Sequence, residues 1–476
     1  MLAKITDNTF FKSKSFKLFL LGGLSSLAFA PLYLFIIFFF TLKYLLDKTL
    51  EESSQKTTFW VGWFFGFGYF IGNCYWYCNS LLLEPLRYGW LIPFAVSIIP
   101  AYLACYTGLT TFCTKYVTDK LKIDNKFIIT IIFSLLWVSF EYIRGVALTG
   151  FPWNLICYCL AFSPLLIQTV SLTNCYIFSF FILTIFTSFF VLLDKKYKLY
   201  VVYYTLLMLF IVVFGFLRLK NSVIKYSQYK VRLVQPNISL NDRITMEDGE
   251  ILDILIDKTK ENIEDVEYVF WHEAALPYAI FDGADNKILE YISKELKNKV
   301  LITGGIRVEQ NENGNWNNRI YNSVFVIQNG KVIDYYDKYN LVPFGEFIPF
   351  RRFLPFIEAI ATNLDLYRSK ERRKIINIDD KFPSFSPNIC YESIFPSSVN
   401  KKAELIVNFT NDFWFGNSSG PYQHFDALKF RAVENNIPAL RIANSGITAI
   451  IDNYGRVIRK TKLESDAVID DFIPLK

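Results

Sequence analysis

Cys390 closes an apolar run in Asn388-Ile389-Cys390-Tyr391-Glu392, and the C-terminal half of the chain holds no other cysteine. At neutral pH a thiol is only a few per cent thiolate, so its use as a nucleophile requires a base and nearby positive charge. Two further segments place chemistry at strand ends. Phe270-Trp271-His272-Glu273-Ala274 ends an apolar run on a carboxylate, and Tyr336-Asp337-Lys338-Tyr339-Asn340 ends another on an ammonium. In one arrangement Glu273 takes the thiol proton, Lys338 holds the developing oxyanion and Cys390 attacks an acyl carbon. In the other, His272 or His424 serves as the base. Taken singly, each residue also has a plainer role: Glu273 as a helix cap, Lys338 as a solvated loop charge, His424 as a packing residue in a helix.

The elements that must position these groups follow from periodicity. Strands are expected at Lys230–Gln235, Glu267–Trp271, Val300–Gly304, Tyr321–Gln328, Val332–Tyr336, Phe385–Cys390, Leu405–Phe409, Ala439–Ala443 and Ile447–Asp452. Helices are expected at Met246–Glu261, Asn286–Lys297, Ser393–Asn400 and Tyr422–Asn435. Asn329-Gly330 is a two-residue hairpin signal. Alternating strands and helices predict a layered α/β domain whose sheet is covered.

The first half is a different kind of chain. The average of 52% hydrophobic residues hides a division. Residues 1–218 are apolar runs separated by short basic segments, 219–228 is a polar linker, and 229–476 reads as an ordinary α/β domain. Seven spans are expected, at roughly 17–30, 31–46, 59–82, 91–113, 127–145, 165–193 and 199–217, each near the ~20 residues that cross a bilayer. With the N-terminus inside, one side collects lysines 4 to 17, 43 to 56, 115 to 126 and 195 to 198, while the opposite loops hold Arg87 and Arg144. That bias is the positive-inside pattern, so the net charge of +6 reflects topology and not a nucleic-acid partner. An odd number of spans places the C-terminal domain outside the cytoplasm. Leu27-Ala28-Phe29-Ala30 has the small residues of a cleavage site, but apolar sequence continues past Pro31, so an uncleaved first span is expected. Cys74, Cys78, Cys105, Cys113, Cys157, Cys159 and Cys175 all lie in this half, where a small polarisable hydrophobe is at home. Cys390, in an oxidising compartment without a partner in its domain, is either inert or kept for chemistry.

Several motifs together resemble the nitrilase superfamily, and the match on both halves resembles its membrane-fused branch, the apolipoprotein N-acyltransferase family. They are Glu273-Ala274-Ala275-Leu276-Pro277, Leu341-Val342-Pro343-Phe344-Gly345-Glu346, Ile389-Cys390-Tyr391-Glu392, Thr410-Asn411-Asp412-Phe413-Trp414-Phe415-Gly416 and Arg441-Ile442-Ala443-Asn444-Ser445-Gly446. In the first half they are Leu27-Ala28-Phe29-Ala30-Pro31, Glu141-Tyr142-Ile143-Arg144 and Thr149-Gly150-Phe151-Pro152-Trp153. The resemblance implies a multi-span helical membrane bundle joined to an αββα sandwich. It implies Glu273 as base, Lys338 as oxyanion stabiliser, Cys390 as nucleophile and Glu346 as a supporting carboxylate. Tyr391 and Glu392 flank the nucleophile, with the Tyr391 N–H as a second oxyanion donor. It further implies a phospholipid acyl donor, typically phosphatidylethanolamine, and a diacylglyceryl-modified apolipoprotein as acceptor, with no metal or nucleotide cofactor. The protein would then lie in a bacterial inner membrane with its catalytic domain periplasmic.

Two positions depart from the family pattern. The family usually carries a tryptophan soon after this Gln-x-Asn segment, but Gln235-Pro236-Asn237 is followed by Arg243-Ile244 with no tryptophan nearby, and Asp466–Lys476 is too short and acidic to form a closing span. Anchoring is therefore expected from the N-terminal bundle alone. Glu141 and Arg144 can pair on one helix face or meet a lipid headgroup. Phe344–Leu354, with Phe347, Phe350 and Phe353 beside Arg351 and Arg352, reads as a lid or a packed helix, and Trp414 as a pocket wall or core. A membrane-anchored amidase and a non-catalytic lipoprotein-binding module are the competing readings.

Overall fold

The computed structural model describes residues 13–284, 286–310, 316–349 and 365–476. They form two compact units. The first holds residues up to Asn221 together with Ser418–Asp426, and the second holds Ser222–Asn417 and Ala427–Lys476.

The first unit is helical: α1 (Lys14–Ser25), α2 (Ile37–Glu51), α3 (Gln55–Cys74), α4 (Ile92–Lys120), α5 (Lys126–Val146), α6 (Cys175–Phe186) and α7 (Val201–Lys220). Four helical stretches among the described residues are long and apolar enough to cross a membrane: Pro85–Lys120, Lys126–Val146, Cys175–Leu192 and Lys195–Lys220. α1 and α2, with 12 and 15 residues, are shorter than the ~20 that span an undeformed bilayer, so a crossing there would thin it locally. α7 leaves Leu206, Leu209, Phe210 and Phe216 exposed, an apolar surface suited to lipid. Inside the bundle, small residues let backbones touch. A Cβ on Gly68 would lie 1.9 Å from the Phe19 carbonyl oxygen, and one on Gly22 the same distance from that of Phe65. Threonine hydroxyls are satisfied by carbonyls: Thr114 donates to Thr110 O one turn earlier at 2.7 Å, and Thr111 crosses to Thr58 O at 2.9 Å.

The second unit is a two-sheet sandwich. Its strands are β1 (Lys225–Gln235), β2 (Tyr268–Phe270), β3 (Ile280–Phe281), β4 (Val300–Gln310), β5 (Trp316–Gln328), β6 (Lys331–Asp337), β7 (Phe385–Ile389), β8 (Leu405–Thr410), β9 (Ala439–Ala443), β10 (Ala449–Ile451), β11 (Val457–Lys460) and β12 (Ala467–Leu475). One sheet runs β12-β1-β2-β4-β5-β6 with β3 beside β4, and the other runs β11-β10-β9-β8-β7. Period-two burial explains the layering. Val231, Leu233, Tyr268, Phe270, Ile302, Val324 and Val326 face inward, where they meet Phe385, Ile389, Leu405, Val407, Phe409 and Leu440 of the second sheet in one core. Their alternates Val269, Trp271, Leu301, Phe325 and Ile327 face outward under Ile251, Leu252, Leu255, Leu289 and Ile292. Those residues come from α9 (Asp248–Lys260) and α10 (Lys287–Glu295), which follow the short α8 (Leu240–Thr245). α11 (Gly420–Asn435) joins the parallel strands β8 and β9 as a crossover, with Leu428, Phe430 and Val433 fully buried. The architecture is αββα.

Asn329-Gly330 joins β5 to β6 as expected. The helix expected at Ser393–Asn400 does not form. A 3-10 turn, Cys390–Ile394, stops at Phe395, which is extended at φ −82° and ψ 120° because Pro396 follows and disfavours the helical region for the residue before it. The acidic tail Asp466–Lys476 supplies β12, which pairs antiparallel with β1 while Asp470 meets Arg232 at 2.5 Å.

Gly68→Val should lower the apparent thermal unfolding midpoint of the purified protein in detergent by several degrees. Gly89→Ala, whose added Cβ would meet only Pro85 Cβ at 4.0 Å, should not. Equal midpoints for wild type and Gly68→Val would show that α1 and α3 do not need that close approach.

Candidate active site

Three strand ends deliver the chemistry. Glu273 lies just beyond β2, Lys338 directly after β6, and Cys390 directly after β7. Ligand sites form outside the carboxyl ends of parallel strands in α/β sheets, and β7 and β8 are such a pair. Cys390 has φ +48°, left-handed for a residue with a side chain, and this backbone ends the strand sharply at the thiol. Such a conformation costs about 1–3 kcal/mol and persists where surrounding structure over-determines it.

Lys338 and Glu273 are both buried, with the Lys338 Nζ 3.3 Å from Glu273 Oε1 and 2.8 Å from Glu346 Oε1. Asn322, in the middle of β5, donates from one amide nitrogen to both carboxylates, to Glu273 at 2.9 Å and to Glu346 at 3.0 Å. The other Glu273 oxygen accepts the Asn411 N–H at 2.9 Å, and the other Glu346 oxygen accepts the Val342 N–H at 2.7 Å. Glu273 is thus held at both oxygens, leaving lone pairs for a proton. Glu392 points away from this group. One of its oxygens accepts from the Tyr336 hydroxyl (2.8 Å), the Tyr339 N–H (2.8 Å) and the Asn340 N–H (3.0 Å), and the other from the Ile389 N–H (2.8 Å). It therefore ties the lysine loop to the strand that carries the cysteine. Tyr391 is buried with its ring edge-on to Phe395, 5.1 Å between centroids.

The electrostatics suit a resting thiol with a base nearby. Burial, followed by the Glu273 charge, raises the Cys390 thiol well above its usual value, while Lys338 opposes this. Burial works against the Lys338 ammonium, but Glu346 and then Glu273 outweigh it and hold the lysine protonated above its ordinary range. A neutral thiol needs its proton removed as it attacks, and a fixed ammonium beside it stabilises the resulting anion. His272 is a poor base: burial, then the Arg243 guanidinium, push it down to about 3, and its Nδ1 lies 2.7 Å from the Glu273 carbonyl oxygen. His424 is fully buried, its ring 5.9 Å from that of Trp153. Among the described residues, no group of three His, Cys, Asp or Glu side chains is arranged to hold a metal ion.

Of the other expected site residues, Trp414 is largely exposed and stacks on Phe413 with centroids 4.0 Å apart. Phe347 is partly buried in a small turn where its carbonyl accepts the Phe344 N–H at 2.8 Å, and residues 350–354 of the expected lid lie outside the described residues. In the helical unit, Glu141 and Arg144 are both buried and turn to one loop. Arg144 donates to Trp153 O at 2.8 Å, and Glu141 accepts the Ile156 N–H at 3.1 Å. Asn322 and the Asn411 N–H were missed by sequence reasoning. Asn322, between Tyr321 and Ser323, looks like any polar residue of a half-buried strand. Asn411 repeats the placement of Cys390, one residue past a parallel strand.

The chain is similar to known proteins in both halves. Residues 21–188 match the family model described as the apolipoprotein N-acyltransferase N-terminal domain, and residues 230–475 match that of carbon-nitrogen hydrolase. An apolipoprotein N-acyltransferase of Rickettsia prowazekii is 36% identical over 96% of this chain and 91% of its own length. One from Rhodopseudomonas palustris is 31% identical over 96% and 88%. Among solved structures, a Saccharomyces cerevisiae member of branch 10 of the nitrilase superfamily is 20% identical, covers 53% of this chain and 92% of its own, and has a TM-score of 0.39. An amidase from Nesterenkonia is 14% identical over 54% and 94%, with a TM-score of 0.38. The molecule is a membrane protein that carries a carbon-nitrogen hydrolase domain. The chain belongs to the apolipoprotein N-acyltransferase family.

Asn322→Ala removes a hydrogen bond to each of two carboxylates, an interaction worth about 1.5–3 kcal/mol. It should slow acylation of Cys390 about ten- to a hundred-fold, read by the rate of labelled-lipid incorporation. A wild-type rate would place Asn322 outside the chemistry. The buried neutral His272 makes a second prediction. Its folded pKa lies below the unfolded value of about 6.5, so its contribution to stability is complete above that pH and is lost as pH falls from 6.5 toward 3. Between pH 7 and 5, His272→Asn should lose about 2 kcal/mol less stability than wild type in denaturant unfolding. Parallel losses would show that His272 is not held neutral.

Proposed function

We propose that this chain transfers a fatty acyl group from a phospholipid, through a thioester on Cys390, to the N-terminal amine of diacylglyceryl-cysteine on lipoproteins. The single observation that carries the chemistry is the buried Glu273–Lys338–Glu346 group beside the strained strand end that bears Cys390. In the first half-reaction the Cys390 Sγ–H proton passes to Glu273 as sulfur attacks the ester carbonyl. The Lys338 ammonium stabilises the tetrahedral oxyanion. Collapse breaks the ester C–O bond, and the departing alkoxide takes the proton from Glu273 to leave as lysophospholipid. In the second, the α-amine attacks the thioester carbonyl, a proton passes to Glu273 and then to sulfur, and an amide and the free thiol result. Glu346 and Asn322 hold Lys338 and Glu273 in place, and Glu392 fixes the lysine loop against the strand of Cys390.

Phosphatidylethanolamine is the proposed donor, with the chain in a bacterial inner membrane. All seven apolar segments are taken to cross, with the N-terminus cytoplasmic and residues 229–476 periplasmic. The lysine distribution supports this orientation. The exposed Trp414 and the partly buried Phe347 are assigned to contact with the lipidic substrates, and the Tyr391 N–H to the oxyanion. Wild type in mixed micelles with alkyne-tagged phosphatidylethanolamine should gain a hydroxylamine-labile label that Cys390→Ala lacks, and a diacylglyceryl-cysteine peptide should discharge it as a tagged amide. A label that persists in Cys390→Ala would move the nucleophile elsewhere, and discharge to free fatty acid alone would make the enzyme a hydrolase.

A further inference from the structure

Arg243 is half-buried and differs from the fully buried guanidinium groups of its unit. Arg232 pairs with Asp470, Arg307 with Asp282 and Asp337, and Arg441 with Asp412. Arg243, in the last turn of α8, has no carboxylate within ion-pair distance among the described residues. Its Nη2 donates to the carbonyl of Ala274, the residue that follows the base Glu273. Its Nε is sealed from solvent and meets no acceptor among the described residues. Glu273 and Asp248 act on it only as nearby charges, and burial draws the guanidinium below its ordinary range. A half-buried guanidinium that donates to one carbonyl and has no carboxylate in reach among the described residues can complete its charge with an arriving anion.

The chemistry of the site suggests which anion. The reading of Cys390 as acceptor of a phospholipid acyl chain, on which this inference rests, brings a phosphodiester to within a glycerol unit of the scissile ester. A planar guanidinium matches two phosphate oxygens at once, and an ammonium does not. Ile244, the next residue, is exposed, so the cation adjoins an apolar side chain suited to the same amphiphile. We propose that Arg243 binds the phosphodiester of the acyl donor and thereby sets the preference for phospholipids over neutral glycerolipids.

The test compares two donors that carry the same tagged acyl chain, phosphatidylethanolamine and diacylglycerol. Each is presented in mixed micelles to the full-length protein, and thioester formation on Cys390 is followed. Wild type should favour the phospholipid. Arg243→Gln should lower that preference about ten-fold or more, chiefly through KM for the phospholipid, and Arg243→Lys should retain part of it. An unchanged donor ratio in Arg243→Gln, even with both rates reduced, would overturn the proposal and leave Arg243 as a support for the Ala274 turn. Equal use of both donors by wild type would overturn it too. Absence of any thioester on wild type would instead remove the acyl-transfer reading, and this assignment with it.

Discussion

A lysine ammonium that is 1% exposed has to be compensated inside the protein, and most of the site follows from that requirement. Lys338 is tolerable where it lies because Glu346 and Glu273 face it at 2.8 and 3.3 Å. Two carboxylates so close to one another are in turn tolerable because the ammonium and the Asn322 amide lie between them. Removing one partner of such a group leaves an uncompensated buried charge, at a cost of about 3–5 kcal/mol. The four residues come from the end of β2, the middle of β5, the end of β6 and the loop after it. The charges balance only when those strands are in register, so the chemistry and the folding of the first sheet are bound together.

The second sheet enters through two devices. The left-handed Cys390 and the 3-10 turn after it end β7 abruptly, with Pro396 preventing a longer helix. Glu392, two residues on, then accepts hydrogen bonds from both β7 and the Lys338 loop, so one carboxylate joins the sheet of Cys390 to the sheet of the lysine. Asn411, one residue past β8, adds a backbone N–H to Glu273 from the same side.

Much of this was legible in the sequence because it depends on local pattern. Period-two runs located nine of the twelve strands, and the hairpin was encoded in Asn329-Gly330. The lone cysteine, Glu273 and Lys338 were visible because each interrupts an apolar run at its end. What was illegible depends on partners distant in sequence. β12 has two aspartates in a row, and only the pairing of Asp470 with Arg232, 238 residues away, makes it a strand edge. Asn322 is one polar residue among several in β5, and its importance comes from two carboxylates carried by other segments. Glu141 and Arg144 were recognisable as a pair, but their common target, the backbone of residues 153–156, was not.

The chain leaves the catalytic group after Glu346 and returns to it at Leu366, whose N–H bonds the Glu346 carbonyl at 2.9 Å, while the Ser369 N–H bonds the Lys338 carbonyl at 3.0 Å. The two ends of this excursion are therefore pinned to Glu346 and Lys338 by main-chain hydrogen bonds. Closing a longer loop between fixed ends adds little entropic cost, because that cost grows only logarithmically with length. Main-chain bonds from the returning segment thus hold both the ammonium and its supporting carboxylate, so the Lys338–Glu346 spacing is set by backbone as well as by side chain.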